Sequence, residues 1–302
     1  MRNRGTAMPK ISSSGRLRKW IAAYRASAAL ACAVAALWPA EAAQDRSVPN
    51  FSPDSSTGWI AVGQEFRPPP SGPGPITADP AHAPKPGQSA FRVADLTNPI
   101  LQPWAREELR KANERALSGK PAYTPKERCW PIGVPGFLLY PVFPVYFLQT
   151  PKEIVMIWAE DHQVRHVYLN QKHSARAMPS WFGESVGQYE GDTLVVDTVG
   201  LNDKTFVDSY RTPHTDRLHV VERFRMIDDG KTMEVMVHVE DPGAFTTPWD
   251  AIQRYRRIDS TGDKNDPRVP RAGLEEMACA ENNGDILNEG LEPIPQADRP
   301  DF

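Results

Sequence analysis

The feature that most constrains this chain is a period-two alternation on both sides of a four-residue turn. Across residues 218–227 one face carries Leu218, Val220, Glu222, Phe224 and Met226, and the other carries His219, Val221, Arg223, Arg225 and Ile227. After Asp228-Asp229-Gly230-Lys231 the pattern resumes. Met233, Val235, Val237 and Val239 share one face, while Thr232, Glu234 and His238 point away. Strand side chains alternate between faces, so the pattern predicts a hairpin with one apolar wall. A slip of one residue would turn the whole apolar set toward water, which fixes the register. Glu222 breaks the pattern in the middle of the apolar face. A carboxylate there needs a partner, or burial raises its pKa.

The same reading extends upstream. Residues 154–158 and 164–169 are short β-rich runs on either side of a polar turn at Asp161-His162. Residues 184–189 and 193–199 flank Glu190-Gly191-Asp192, a second hairpin signal, and 252–258 is a final strand. Seven or more short strands predict a mainly β chain, an antiparallel β-barrel or sandwich, lipocalin-like in general shape. A barrel of that size commonly encloses a small ligand. Ahead of the strands, residues 103–117 (PWAREELRKANERAL) predict a helix, with proline in its first turn and Ser118-Gly119 at its end.

The ends of the chain read differently. In residues 1–42, Arg16, Arg18, Lys19 and Arg25 precede an apolar run at 28–38, and Ala40-Glu41-Ala42 matches an A-x-A cleavage site. This is the layout of a secretory signal peptide, with an uncleaved anchor as the alternative. The run is shorter than the roughly 20 residues of a membrane span. No later segment is apolar enough to cross a bilayer, so a mature chain that is periplasmic or secreted is expected. Residues 43–100 form a Pro-rich arm or linker, 101–283 the barrel-like domain with its N-terminal helix, and 284–302 a loose tail. Removing the signal removes Cys32. Cys129 and Cys279 remain, and in an oxidising compartment they are expected to form one disulfide. A net charge of −3 gives no reason to expect a nucleic-acid partner. Oligomeric state stays open.

Chemistry is sought in the polar residues among the strands. Glu222 and Asp197 are the candidate catalytic carboxylates, with His214 as proton-exchange partner, because imidazole titrates near neutral pH. His162 and Arg165 are candidates to orient a substrate oxygen. Tyr168, Trp181, Asn202 and Asp203 complete the candidate substrate-binding set. The structural alternative for Glu222 is an ion pair with Arg165 or Arg254. With a three-residue turn at 190–192, Ser185 falls opposite Asp197. Gly183-Glu184-Ser185-Val186-Gly187 matches G-x-S-x-G, but a strand continues where a nucleophile elbow needs a helix, so a serine hydrolase is not expected. The histidines show no metal-ligand spacing, and neither a metal nor a cofactor is expected.

The run WFGESVGQYEGDTLVVDTVGLNDKTFVD, the later PHTDRLHVVERF and EDPGAFTTPW, and the segments RCWPIGVP and ACAENN resemble a large group of exported bacterial proteins of unknown function. The resemblance covers roughly residues 125–283. It departs from the group's pattern mildly, at Tyr189 (more often Trp) and Thr215 (more often Ser). It implies export and assigns no residue a role. The function expected from the residues is a cofactor-independent acid–base enzyme, of isomerase, hydratase or lyase type, acting on a small, partly apolar molecule. The alternatives are a small-ligand-binding protein without turnover and a structural envelope-associated module.

Overall fold

The computed structural model describes residues 48–259, apart from 55, 84–91, 121–124, 126–128 and 140–142. The expected signal peptide, Cys279, the C-terminal tail and part of the Pro-rich segment lie outside the described residues. The expected Cys129–Cys279 pairing therefore does too.

Nine strands close into a barrel in sequence order: β1 (Gly58–Ala61), β2 (Val145–Gln149), β3 (Glu153–Trp158), β4 (Gln163–Leu169), β5 (Glu184–Glu190), β6 (Thr193–Val199), β7 (His219–Ile227), β8 (Thr232–Glu240) and β9 (Trp249–Ile258). The mainly β architecture is as expected from the alternation. One pairing is not. An odd number of strands cannot alternate direction all the way round a closed ring, so at least one adjacent pair must run parallel. Here it is β4 with β5, with Val167 opposite Ser185 and Leu169 opposite Gly187. Parallel neighbours need a crossover in place of a tight turn. Residues 170–183 supply it.

The hairpin of β7 and β8 has the register its pattern dictates, with Glu222 opposite Val237 and Phe224 opposite Val235. The hairpin of β5 and β6 corrects a sequence expectation. Its turn is the two residues Gly191-Asp192, with Gly191 at φ 64°, which suits a tight turn whose first central residue is glycine. Val186 therefore faces Asp197, and Ser185 faces Thr198. Ser185 and Asp197 stand on opposite sides of the sheet.

The barrel interior is filled. Phe147, Ile154, Met156, Val167, Leu194, Val196, Val220, Phe224, Val235 and Val237 are buried in one cluster. Residues 132–139 enter one mouth as a plug, ending in a 3-10 turn, Gly136–Leu139, all of it buried. Its backbone is anchored from the wall: the Tyr255 hydroxyl donates to Leu138 O at 2.7 Å, and Gln253 Nε2 donates to the same carbonyl at 3.2 Å. The cavity left beneath Phe137, bounded by Val145, Met156, Trp158, Gln163, Arg165 and Phe182, holds about 10 Å³. That is room for one water at most.

Outside the wall, α1 (Pro103–Leu117) buries Ala105, Leu109, Asn113 and Ala116, a stripe at helical spacing. Asn113 holds it in place by bonding both backbone groups of Ala94, N–H to Oδ1 at 2.8 Å and Nδ2 to the carbonyl at 2.9 Å. Among the described residues no helix is long and apolar enough to cross a membrane.

Candidate functional site

The inward carboxylate is where its alternation puts it, and it is fully buried. Glu222 meets Arg165, which reaches inward from β4. Arg165 donates to both Glu222 oxygens, through Nη1 at 3.1 Å and through Nη2. Its Nε donates to Ser185 Oγ at 3.1 Å and its Nη2 also to Thr198 Oγ1 at 2.8 Å. The two hydroxyls are 3.0 Å apart, and the Phe137 ring lies 5.1 Å from the guanidinium carbon. A buried charge pair persists only when its remaining donors and acceptors are satisfied. Four donations from one guanidinium meet that condition. The plug lies over the pair, and both side chains are buried.

This arrangement also explains the G-x-S-x-G match. Gly183, at φ 62°, is held where an added Cβ would come within 2.4 Å of Val199 O. Gly187 faces inward against Val167. Ser185 is an interior partner of Arg165. The glycines serve chain approach, and the serine serves a buried ion pair.

The three expected catalytic residues do not share a site, which corrects the sequence expectation. Glu222 is inside. Asp197 is on the outer wall, because its strand faces the other way at that position. His214 is buried in the loop between β6 and β7, where its Nδ1 lies 3.0 Å from Thr215 O and its Nε2 lies 2.8 Å from Thr205 Oγ1. Only the Nδ1-protonated tautomer suits both: it donates to the carbonyl and accepts from the hydroxyl. Burial lowers the pKa of this imidazole, against the opposing Thr215 bond and the charges of Asp241 and Asp203.

The expected substrate-binding residues divide likewise. Trp181, Asn202 and Asp203 lie with the His214 loop. Trp181 packs on Trp130 with ring centres 5.2 Å apart, and Lys204 Nζ sits 5.9 Å from each ring. Asn202 Oδ1 accepts from Lys204 N at 3.0 Å, as turn chemistry requires. Arg165 is interior, whereas His162 is exposed in the turn Glu160–His162. Tyr168 is exposed on the outer wall, stacked on His166 at 6.3 Å. The described residues thus place them in three separate settings: the barrel interior, the exposed turn and outer wall, and the His214 loop.

The outer wall instead carries a string of side chains that the sequence reading did not assemble. Register places Val186, Asp197, Val221, His238 and Asp250 in one row across β5 to β9, with Glu184 and Val199, and His219 and Glu240, paired at its edge. His173 reaches this row from the crossover. Asp197 Oδ1 lies 3.0 Å from His173 Nε2 and 3.0 Å from His219 Nε2. The other nitrogen of His173 is 3.1 Å from Glu184, and that of His219 is 3.5 Å from Glu240. His238 continues the string, with Nε2 3.0 Å from Glu240 and Nδ1 2.7 Å from Asp250. Seven groups thus alternate: Glu184, His173, Asp197, His219, Glu240, His238, Asp250.

Each of the three rings has both nitrogens against carboxylate oxygens. A neutral imidazole has one N–H and satisfies only one of them; the imidazolium satisfies both. At His238 burial opposes the charge, but the bonds to Glu240 and Asp250 outweigh it and raise the pKa above the ordinary imidazole value. The bond from His238 in turn holds Glu240 below the usual carboxylate range. Glu184 is lowered chiefly by the Ser174 hydroxyl, then by the Ser174 backbone, each 2.6 Å away. Asp197 keeps 42% of its side chain exposed, and His219 keeps 32%, so a solute can reach both. Val186, Val199 and Val221 stand between the charged groups as half-buried apolar floor. Among the described residues no three His, Cys, Asp or Glu side chains are placed to share a metal ion.

His219 and His238 were legible as outward-facing from the alternation. Joining them to Asp197 needed the β6–β7 register, which sets Asp197 opposite Val221. Comparison with protein-family models, curated proteins and solved structures finds no match for this chain.

Proposed function

We propose that this chain is an exported acid–base enzyme, working without a cofactor on a small, partly apolar molecule, with its site on the outer wall around Asp197. One observation carries the reading: a solvent-accessible carboxylate is bracketed by two imidazoles at 3.0 Å, each buttressed by a further carboxylate. A proton taken up at Asp197 or His219 is passed along a hydrogen-bonded string, so acid and base forms lie side by side. General acid–base catalysis needs such a pair within hydrogen-bond reach of the substrate. Asp197 is the base, His219 the acid, and Val186, Val199 and Val221 offer an apolar rest. Proton transfer at carbon, as in isomerisation, hydration or elimination, is the fitting reaction class. Export rests on the sequence layout of residues 1–42, and a Cys129–Cys279 bridge belongs to the same reading.

The alternative of a ligand carrier with its pocket inside the barrel meets an interior already occupied by Arg165, Glu222 and the plug. The test is deuterium exchange. The purified protein is incubated in D₂O with a panel of small carbonyl compounds, and NMR follows exchange of their acidic C–H protons. Exchange catalysed by the wild type, and cut roughly 100-fold or more in Asp197→Asn, supports the reading. Exchange no faster than buffer across the panel, or exchange that survives Asp197→Asn, counts against it.

A further inference from the structure

The crossover between the two parallel strands has an uneven set of anchors. At its ends the backbone is fixed, with Asn170 N donating to Gly187 O at 2.7 Å and Ser180 N to Gly200 O at 3.0 Å. Between them, the polar contacts to the wall are made by two adjacent residues. Ser174 donates twice to Glu184, and His173 bridges Glu184 and Asp197. Ala177 and Met178 add packing against Gly200. Most of the remaining side chains from 171 to 180 are exposed, Lys172 and Arg176 among them.

We propose that His173 is a pH-operated latch: protonated, it clamps the crossover onto Asp197; neutral, it lets the segment lift and opens the site. The proposal rests on the reading of the Asp197 string as the working site. His173 occupies one side of Asp197 Oδ1, so its departure frees a carboxylate lone pair. A neutral ring keeps one of its two bonds and sets a lone pair against the other carboxylate oxygen, which repels. The groups facing His173 and the string behind it are Glu184 from β5, Asp197 from β6, His219 from β7, Glu240 and His238 from β8 and Asp250 from β9. Four carboxylates face three imidazoles. Charged rings leave the string nearly balanced, and neutral rings leave it strongly anionic. The crossover is the member of the string not held in the sheet, so it is the one that moves.

Amide hydrogen exchange tests this without reference to turnover. Exchange of residues 171–179 is measured at pH 5.5 and 8.5 and corrected for the intrinsic rate. In the wild type it rises about tenfold or more between the two. In His173→Gln it is fast at both values. In His173→Arg, whose charge is permanent, it is slow at both. A wild-type segment that does not respond to pH, a His173→Gln protein that still responds as the wild type does, or an equal rise in β2 and β3 overturns the latch. If these outcomes hold while no carbonyl exchange is found, the latch stands and the enzyme reading falls. If exchange is found and the segment ignores pH, the reverse holds.

Discussion

Arg165 and Glu222 face each other inside the barrel, joined by two hydrogen bonds, with both side chains buried. Taking two charges out of water is costly, and the return depends on the pair staying whole. Arg165→Met strands an unpaired carboxylate and is expected to cost roughly 3–5 kcal/mol. Arg165→Met with Glu222→Met removes both charges and recovers most of that loss. Urea denaturation of the two proteins measures the difference. A single variant as stable as the wild type would mean the pair is not sealed from solvent.

Phe137 lies over the Arg165 guanidinium and packs edge-on against Phe182 at 6.3 Å, closing the mouth with the rest of the plug. Truncating a buried phenylalanine to alanine costs about 3–5 kcal/mol, because the cavity collapses only in part. Phe137→Ala also wets the ion pair beneath, so its effect is expected at the upper end and to be smaller in the charge-free double variant. A double-mutant cycle by chemical denaturation checks the coupling.

Much of the wall was legible in the sequence, because half-buried strands advertise themselves by period two. Glu222 pointed inward for that reason, and Arg165 was already among its possible partners. Asp197 was not legible. Leu194, Val195 and Val196 are all buried although they face opposite ways, so the strand has no polar face to read. The turn at Gly191-Asp192 is one residue shorter than the one assumed, and one residue exchanges the two faces. The parallel pairing of β4 and β5 was out of reach as well, since it follows from closing an odd ring and leaves no local mark. His173 sits in a polar stretch without periodicity, and only the fold brings it to Asp197.

His214 and His238 are expected to shift stability in opposite senses with pH. Burial depresses the pKa of His214, so the unfolded chain binds a proton there more readily than the folded one. Its contribution is present above the ordinary imidazole pKa of about 6.5 and is lost as pH falls below it. His238 is raised, so its contribution is full at low pH and is lost as pH rises through its folded value. Its side chain is 37% exposed, so solvent screening keeps that contribution small. Denaturation midpoints from pH 5 to 8.5 should therefore fall toward acid. His214→Gln, which can still donate and accept, should flatten the acid limb.

Gly183 and Gly230 both adopt positive φ, 62° and 77°, and differ in what surrounds them. An added Cβ at Gly230 meets nothing within 4 Å, so Gly230→Ala carries only the left-handed backbone cost, roughly 1–2 kcal/mol. At Gly183 the same methyl would sit 2.4 Å from Val199 O and 3.1 Å from Thr198 Cγ2. Backbone in a sheet gives way little, so strain adds to the conformational cost. Gly183→Ala is expected to lose roughly 3 kcal/mol or more. Because Gly183 leads directly into Glu184, the change should also displace the carboxylate that holds His173 and Ser174. Thermal unfolding gives the stability difference, and hydrogen exchange across 171–179 at pH 5.5 gives the local one. A Gly183→Ala protein no less stable than Gly230→Ala, with an equally protected crossover, would show that this approach of backbone to backbone is slack.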